Sequence, residues 1–116
     1  MRIFMVNKNN QKKHILECID EILEQRISAN PENSYTAKLL NQGIDQILKK
    51  VGEEATETVI ASKCGENAAI IHEIADLWFH TIILLKYHNL TSKDVLDELE
   101  KRLGISGVEE KENRDK

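Results

Sequence analysis

Five acidic residues at short, regular spacing carry the chemistry that this sequence suggests. The stretch KKVGEEATETVIA places Glu53, Glu54 and Glu57 within little more than one turn of a predicted helix. Further along the chain, EIAD places Glu73 and Asp76 three residues apart. Acidic side chains spaced three or four residues apart share one face of a helix and repel one another. Such crowding is typical of a solvated surface or of a site for a bound cation.

The pair Glu73 and Asp76 lies in a segment that is apolar on almost every side. A helix of this kind is usually buried, and a buried carboxylate without a partner is too costly to keep ionised. Three solutions remain open: protonation, a basic partner such as Lys50, or a divalent cation held by carboxylates from two helices. The apolar residues around the axis are Ile70, Ile71, Ile74, Leu77, Trp78, Phe79, Ile82, Ile83, Leu84 and Leu85.

Acidic motifs on two helices favour the metal over the solvated face or a structural ion-pair network. E-x-x-E facing E-x-x-D offers an all-oxygen site, which suits Mg²⁺ or Mn²⁺ far better than zinc. Carboxylate di-iron bundles use Glu-x-x-His, and none of the four histidines follows a glutamate at that spacing. Dioxygen chemistry is therefore disfavoured. We expect His80 to be a core or supporting histidine rather than a ligand.

An acidic magnesium site is typical of enzymes that act on phosphate chains. Mg²⁺ binds phosphate oxygens alongside a few carboxylates and lowers the pKa of bound water, which favours metal-assisted hydrolysis. The sequence has no P-loop glycine pattern and no Ser, Cys or His arrangement that suggests a covalent nucleophile. Basic side chains such as Lys50 are therefore expected to help hold the phosphates.

Composition narrows the class of protein. A net charge of −4 gives no electrostatic reason to expect a nucleic-acid partner. Cys18 and Cys64 are unpatterned and are expected to be reduced. The apolar run at the N-terminus is too short for a signal peptide. The most apolar run of the chain, residues 77–85, is too short to span a bilayer. We expect a cytoplasmic protein without a membrane partner.

The elements that position the acidic residues are predicted to be helices. One proline and five glycines in 116 residues favour few, long elements, and no run alternates with the period of a strand. The predicted fold is an all-α, four-to-five-helix bundle subunit over residues 1–104, with residues 1–10 as a candidate flexible extension and 105–116 as a polar tail. The predicted helices cover residues 11–28, 35–62 with a bend near Gly43, 66–88, and a last helix from Thr91 or Ser92 to Gly104.

Two of these helices have predicted core faces. Helical spacing indicates one buried stripe on the second helix and another on the last helix. Ser34 is a candidate N-cap for the second helix, and Gly65 a candidate C-cap. The two stripes are Leu40, Ile44, Ile47, Leu48, Val51, Ala55 and Val59, and Val95, Leu96, Leu99 and Leu103.

Taken together, these motifs resemble the all-α nucleotide pyrophosphohydrolases of the MazG-like superfamily, and within it the phosphoribosyl-ATP pyrophosphohydrolase family. The resemblance runs from about Leu23 to Arg114, most of the chain. It rests on Arg26, SYTAKLL with Gly43, KKVGEEATETVIA, EIADLWFHTIILL and the tail RLGISGVEEKENR. The acidic motif alone is moderately specific, and the SYT and SGVEEK segments strengthen it.

The resemblance implies hydrolysis of the α–β phosphate bond of phosphoribosyl-ATP to phosphoribosyl-AMP and pyrophosphate, the second step of histidine biosynthesis. It implies a homodimer and a requirement for Mg²⁺, with Mn²⁺ as a substitute. By motif position, the metal ligands would be Glu54, Glu57, Glu73 and Asp76, with Glu53 as a further ligand or the base that orients water. The catalytic set would be Glu53, Glu54 and Glu57. The substrate-binding set would be Lys50, Ser34, Tyr35 and Thr36, with Arg102, Lys111 and Arg114 as weaker substrate or interface candidates.

Two alternatives stay open. The same chemistry would serve a house-cleaning hydrolase of aberrant nucleoside triphosphates. A protein of another class, a non-catalytic helical dimer, would use the acidic face as an adaptor surface. A substrate panel and the effect of Mg²⁺ on thermal stability separate the three.

Overall fold

A computed structural model describes residues 14–104, which form five α-helices and no β-strand within that range. The predicted all-α class is confirmed. The candidate N-terminal extension and the whole of the polar C-terminal tail, including Lys111 and Arg114, lie outside the described residues. The helices are α1 (Ile15–Arg26), α2 (Tyr35–Gln42), α3 (Ile44–Cys64), α4 (Asn67–Tyr87) and α5 (Ser92–Leu103).

The predicted bend at Gly43 is a complete break, so the prediction of one helix over residues 35–62 is wrong. Gly43 has φ 103° and ψ 179°, a conformation that residues with a Cβ rarely adopt. The chain therefore leaves α2 and begins α3 in a new direction. Ser34 does cap α2 as predicted, because its Oγ accepts a hydrogen bond of 3.2 Å from the backbone N–H of Ala37.

The two longest helices, α3 and α4, form a hairpin with the most extensive contact in the chain. Gly65 ends α3 in the left-handed conformation, with φ 78°, and donates its N–H to the carbonyls of Ala61 and Ser62. This confirms the predicted C-cap. The turn to α4 is only two residues long, so the acidic motifs of the two helices are held opposite each other.

The core lies where α1, α2, α3 and α4 meet. It is built from Leu23, Leu39, Ile47, Ile82 and Ile83, and Phe79 packs against it. Ile47 is the one member of the predicted stripe on α3 that is fully buried. Many of the other large apolar side chains are exposed on the surface of the single chain.

The predicted burial of α3, α4 and α5 is only partly realised in the single chain. On α3, Leu48 and Val59 are exposed, whereas the acidic Glu54 is buried. On α4, Ile71 is 69% exposed and Trp78 58%, so this helix is not buried all round. The physical reason is that one chain supplies too few neighbouring helices to cover every side of these three, and α5 packs mainly on α1. On α5, the predicted buried side is also exposed: Val95, Leu96, Leu99 and Leu103.

The N-terminus of α5 is tied to α1 by hydrogen bonds. The backbone N–H of Ser92 donates to the two carboxylate oxygens of Asp20 at 3.1 and 3.2 Å, and the Ser92 hydroxyl donates to Asp20 as well. Thr91 and Asp94 form a capping box at the same end. A carboxylate at this position also complements the positive end of the helix dipole. These contacts position α5 against α1.

Composition led to two expectations, one about the cysteines and one about membrane-spanning segments. Cys18 and Cys64 are both free, as predicted. By length and composition alone, α4 could cross a membrane, with a mean hydropathy of 1.5, although the sequence led us to expect no such segment. One helix of this kind is weak support for a membrane span, since core helices of globular proteins have the same character. In this chain α4 also carries Glu73, Asp76 and His80.

Candidate metal centre

The α3–α4 hairpin brings three predicted ligands together. Glu54 and Glu57 of α3 and Glu73 of α4 each place one carboxylate oxygen within 4.8 Å of the other two. Their spacing explains this convergence, because residues three apart on α3 share a face that looks onto α4. Asp76, one turn after Glu73, faces the same strip of the hairpin and groups with Glu73 and His72.

Burial makes this carboxylate cluster unusual. Glu54 is only 5% exposed, in a helix whose apolar side chains are largely on the surface. Among the described residues, Glu54 Oε2 and Glu73 Oε2 are buried and have no hydrogen-bond partner. A buried, unpartnered carboxylate oxygen is costly unless a cation neutralises it. Hard oxygen donors from two helices fit a divalent cation such as Mg²⁺ or Mn²⁺.

Repulsion between carboxylates affects Glu57 directly. A hydrogen bond shared with Glu73, together with the negative charge of that residue, raises the pKa of Glu57 above its ordinary value. Glu57 is exposed, so the neighbouring acid contributes more to this raised pKa than the loss of solvent does.

Lys50 provides the nearby positive charge. Its Nζ lies 3.5 Å from Glu54 Oε1 and 4.0 Å from Glu53 Oε1. Partial desolvation acts to lower the pKa of Lys50, but Tyr35, Glu54 and Glu53 together raise it. Lys50 therefore stays charged at the edge of the cluster, where it can reach an anionic ligand.

The SYT segment reaches the centre through Tyr35. The Tyr35 hydroxyl lies 2.7 Å from Nε2 of His80, and Nδ1 of His80 lies 2.8 Å from the backbone carbonyl of Asp76. His80 is buried, which confirms the expectation of a core histidine. Ser34 and Thr36 are buried too, so Tyr35 is the member of the segment that a ligand can contact in this chain.

Two predicted site residues lie apart from the carboxylate cluster. Glu53 faces an open groove beside Glu57, with its nearest recorded partner the Lys50 ammonium. Arg102 lies at the end of α5 and pairs with Glu98 of the same helix at 3.1 Å. Because α5 packs on α1 rather than on α3, this chain does not bring Arg102 to the carboxylates.

Sequence reasoning gave no role to His72. Its Nε2 lies 3.3 Å from Asp76 Oδ2, one helical turn away. The signal was present in the i,i+4 spacing of the two residues. It was overlooked because hard cations prefer oxygen ligands, and no histidine follows a glutamate at di-iron spacing.

Comparison with known proteins decides the family. The family model for phosphoribosyl-ATP pyrophosphohydrolase matches residues 9–103, which include every helix of the structure. The chain belongs to this family. Members of the phosphoribosyl-ATP pyrophosphohydrolase family are hydrolases, which confirms the prediction that the chain is an enzyme.

Curated relatives cover nearly the whole of the same length. A phosphoribosyl-ATP pyrophosphatase of Hydrogenovibrio crunogenus is 55% identical over 106 residues, or 88% of this chain and 94% of the relative. The enzyme of that name from Methylococcus capsulatus is 55% identical over 86% of this chain and 95% of its own length. That of Geobacter metallireducens is 47% identical over 92% and 98%. The family match therefore includes the whole of the carboxylate hairpin.

Proposed function

We propose that this chain hydrolyses the α–β phosphate bond of phosphoribosyl-ATP, giving phosphoribosyl-AMP and pyrophosphate in the cytoplasm, as the second step of histidine biosynthesis. One observation carries the proposal: Glu54, Glu57 and Glu73 converge within 4.8 Å, with two buried oxygens unpartnered, in a chain of this family. Such a site is suited to a metal-bound phosphate chain.

Mg²⁺ is the proposed cofactor, with Mn²⁺ as a substitute. The residues that would hold it are Glu54, Glu57, Glu73 and Asp76, which contribute oxygen ligands from both helices of the hairpin. When bound, the cation supplies positive charge to the phosphate oxygens and lowers the pKa of water. The unpartnered oxygens of Glu54 and Glu73 support this assignment.

Glu53 and Lys50 have separate proposed roles in hydrolysis. Glu53 is exposed beside Lys50 and faces solvent, so it can orient the attacking water and accept its proton. The water oxygen forms a bond to one of the two phosphorus atoms of the α–β bridge. The bond between that phosphorus and the bridging oxygen breaks, and the bridging oxygen leaves with the other phosphorus. Lys50 stabilises the negative charge that develops on the phosphate chain, since its ammonium lies at the edge of the carboxylate cluster.

A homodimer is the proposed assembly. Large apolar side chains are exposed on the outer faces of α3 and α4, among them Leu48, Val59, Ile60, Ile71 and Trp78. Several large apolar side chains exposed on one helical hairpin favour an interface, and most soluble homo-oligomers are twofold dimers. A second copy packed on the hairpin would bury these residues and complete the bundle.

The test is turnover of phosphoribosyl-ATP by the purified full chain with Mg²⁺, followed by ³¹P NMR. We expect phosphoribosyl-AMP and pyrophosphate as the products, and no reaction in excess EDTA. Faster hydrolysis of ordinary or damaged triphosphates would favour a house-cleaning hydrolase instead. If the chain hydrolyses none of these substrates and Mg²⁺ leaves its thermal stability unchanged, the adaptor alternative gains support and the metal assignment fails.

A further inference from the structure

Three groups from two helices form a hydrogen-bonded chain beside the carboxylate cluster. Tyr35 begins α2, whereas His80 and Asp76 lie one turn apart on α4. The His80 ring is 6% exposed and meets the edge of Tyr35, with ring centroids 5.7 Å apart and planes at 87°. Packing and two hydrogen bonds therefore hold this ring in one orientation.

The direction of each hydrogen bond follows from its partners. A backbone carbonyl can only accept, so the His80 Nδ1 that lies 2.8 Å from the Asp76 carbonyl must donate. In the neutral ring, Nε2 is then the acceptor, and the Tyr35 hydroxyl 2.7 Å away donates to it. The phenolic proton of Tyr35 is therefore already used in the hydrogen bond to His80.

Tyr35 keeps that proton. Burial raises the pKa of Tyr35, and the short hydrogen bond to His80 holds the phenol in place. Its hydroxyl oxygen retains lone pairs but has no second proton to offer, and the side chain is 50% exposed. Phosphate oxygens that carry no proton cannot donate to it. A hydroxyl or amino group can.

We propose that His80 is a positioning residue that presents Tyr35 as a hydrogen-bond acceptor for a hydroxyl or amino group of the nucleotide. This rests on the proposed function, which makes a nucleotide the ligand. The carboxylate cluster would hold a cation that binds the phosphates, and Tyr35 accepts a hydrogen bond from a neighbouring donor on the ribose or the base. Tyr35 therefore contributes to recognition of the nucleoside portion rather than to phosphate binding.

Three variants separate this role from a structural one. Tyr35→Phe removes the acceptor and keeps the ring, so KM should rise about fivefold, as expected for one hydrogen bond, with kcat almost unchanged. His80→Asn places its amide near the Nδ1 position and loses Tyr35, so it should raise KM similarly. His80→Gln places its amide near the Nε2 position and should restore KM toward the wild-type value.

The double variant and a modified substrate refine the test. Tyr35→Phe combined with His80→Asn should raise KM no further than Tyr35→Phe alone, because both changes remove one interaction. Phosphoribosyl-ATP made from 2′,3′-dideoxy-ATP locates the donor. If the donor is a hydroxyl of the ATP ribose, this substrate shows the raised KM in the wild type and no extra rise in Tyr35→Phe. A wild-type KM that does not change assigns the donor to a hydroxyl of the phosphoribosyl group or to the amino group of the base.

A spectroscopic measurement tests the arrangement without turnover. In ¹⁵N NMR of the full chain, His80 should carry its proton on Nδ1, and Tyr35→Phe should shift the Nε2 resonance more than the Nδ1 resonance. A proton on Nε2, or an unchanged KM in Tyr35→Phe, would overturn the inference. Failure of the wild type to hydrolyse phosphoribosyl-ATP would instead refute the proposed function, and the two failures are distinguishable by these readouts.

Discussion

Glu57 of α3 and Glu73 of α4 lie with carboxylate oxygens within 4.8 Å of each other, and the presence of Glu73 raises the pKa of Glu57 above 4.5. A raised acid pKa means that the folded state binds the proton more tightly than the unfolded state. Without metal, this pair therefore contributes most to stability below pH 4.5, and its contribution declines as pH rises through the higher folded-state pKa.

Glu57→Gln should accordingly become more stable than the wild type, in EDTA, as pH rises from about 4 to 7. Urea unfolding at each pH gives the difference in free energy, and Glu100→Gln on α5 is the control, because this glutamate is exposed and no ion pair is recorded for it among the described residues. Added Mg²⁺ should reverse the order at pH 7. A difference that is independent of pH would contradict the pairing of Glu57 with Glu73.

Asp76→Asn should abolish turnover while the fold survives, because it removes a negative charge without changing side-chain size. We expect a loss of more than about 100-fold, since even the partners of metal ligands are worth about 10–100-fold. The control is Asp97→Asn, because Asp97 has the same i,i+4 arrangement with Lys93 that Asp76 has with His72. Near-normal turnover in Asp76→Asn would remove Asp76 from the ligand set.

Lys50→Met should lower kcat/KM by about tenfold or more, the usual value of a charge-assisted contact. Glu54 also loses the ammonium that lies 3.5 Å away, so the metal-free variant should unfold at a lower urea concentration. Lys49→Met is the control, because this neighbouring lysine is exposed and no ion pair is recorded for it among the described residues. Equal kinetics for the two variants would refute a phosphate-binding role for Lys50.

Asp20→Ala should destabilise the chain by about 2 kcal/mol, since hydrogen bonds to a charged group are worth about 1.5–3 kcal/mol. The backbone and hydroxyl of Ser92 would lose their acceptor, and α5 would lose its attachment to α1. Urea denaturation measures the change, with Glu17→Ala, an exposed residue of α1, as the control. We expect the metal affinity of the α3–α4 hairpin to be unaffected.

Val59→Asp should convert the proposed dimer to a monomer, because it places a charge on an apolar face of α3 that is exposed in the single chain. Analytical ultracentrifugation at micromolar concentration measures the mass. Gln46→Asp adds the same charge to an exposed polar position of the same helix, about 140° around the axis from Val59, and should leave the dimer intact. A wild-type chain that sediments as a monomer would refute the assembly.

Much of the fold was predictable, because local signals determine it. Turn residues mark most helix boundaries, and the caps at Ser34 and Gly65 were read correctly from residue type. The break at Gly43 was read as a bend, since a glycine inside a helical pattern is compatible with either and only the backbone angles decide. The faces of α3, α4 and α5 were misassigned because periodicity identifies an apolar face without revealing what covers it.

The carboxylate part of the candidate site was predictable, because it depends on acidic motifs spaced along two consecutive helices. E-x-x-E and E-x-x-D indicated that Glu54, Glu57 and Glu73 would converge, as the structure shows. The hydrogen bond between Tyr35 and His80 was not predictable, because the residues are 45 positions apart and meet through the packing of α2 on α4. Contacts between distant segments depend on crossing geometry, which composition and periodicity do not encode.

The interruption at Gly43 has a consequence for how this enzyme can change. The proposed metal-binding carboxylates follow Gly43 in the chain and lie on the α3–α4 hairpin. Tyr35 precedes Gly43 and lies on the separate short helix α2. The proposed roles place reaction chemistry on the hairpin and nucleoside contact on α2, with His80 of the hairpin holding Tyr35 in position. A library that varies Tyr35 and the other exposed positions of α2, and preserves the buried residues of α2 together with the hairpin, is where new substrate preferences should arise without the loss of hydrolysis.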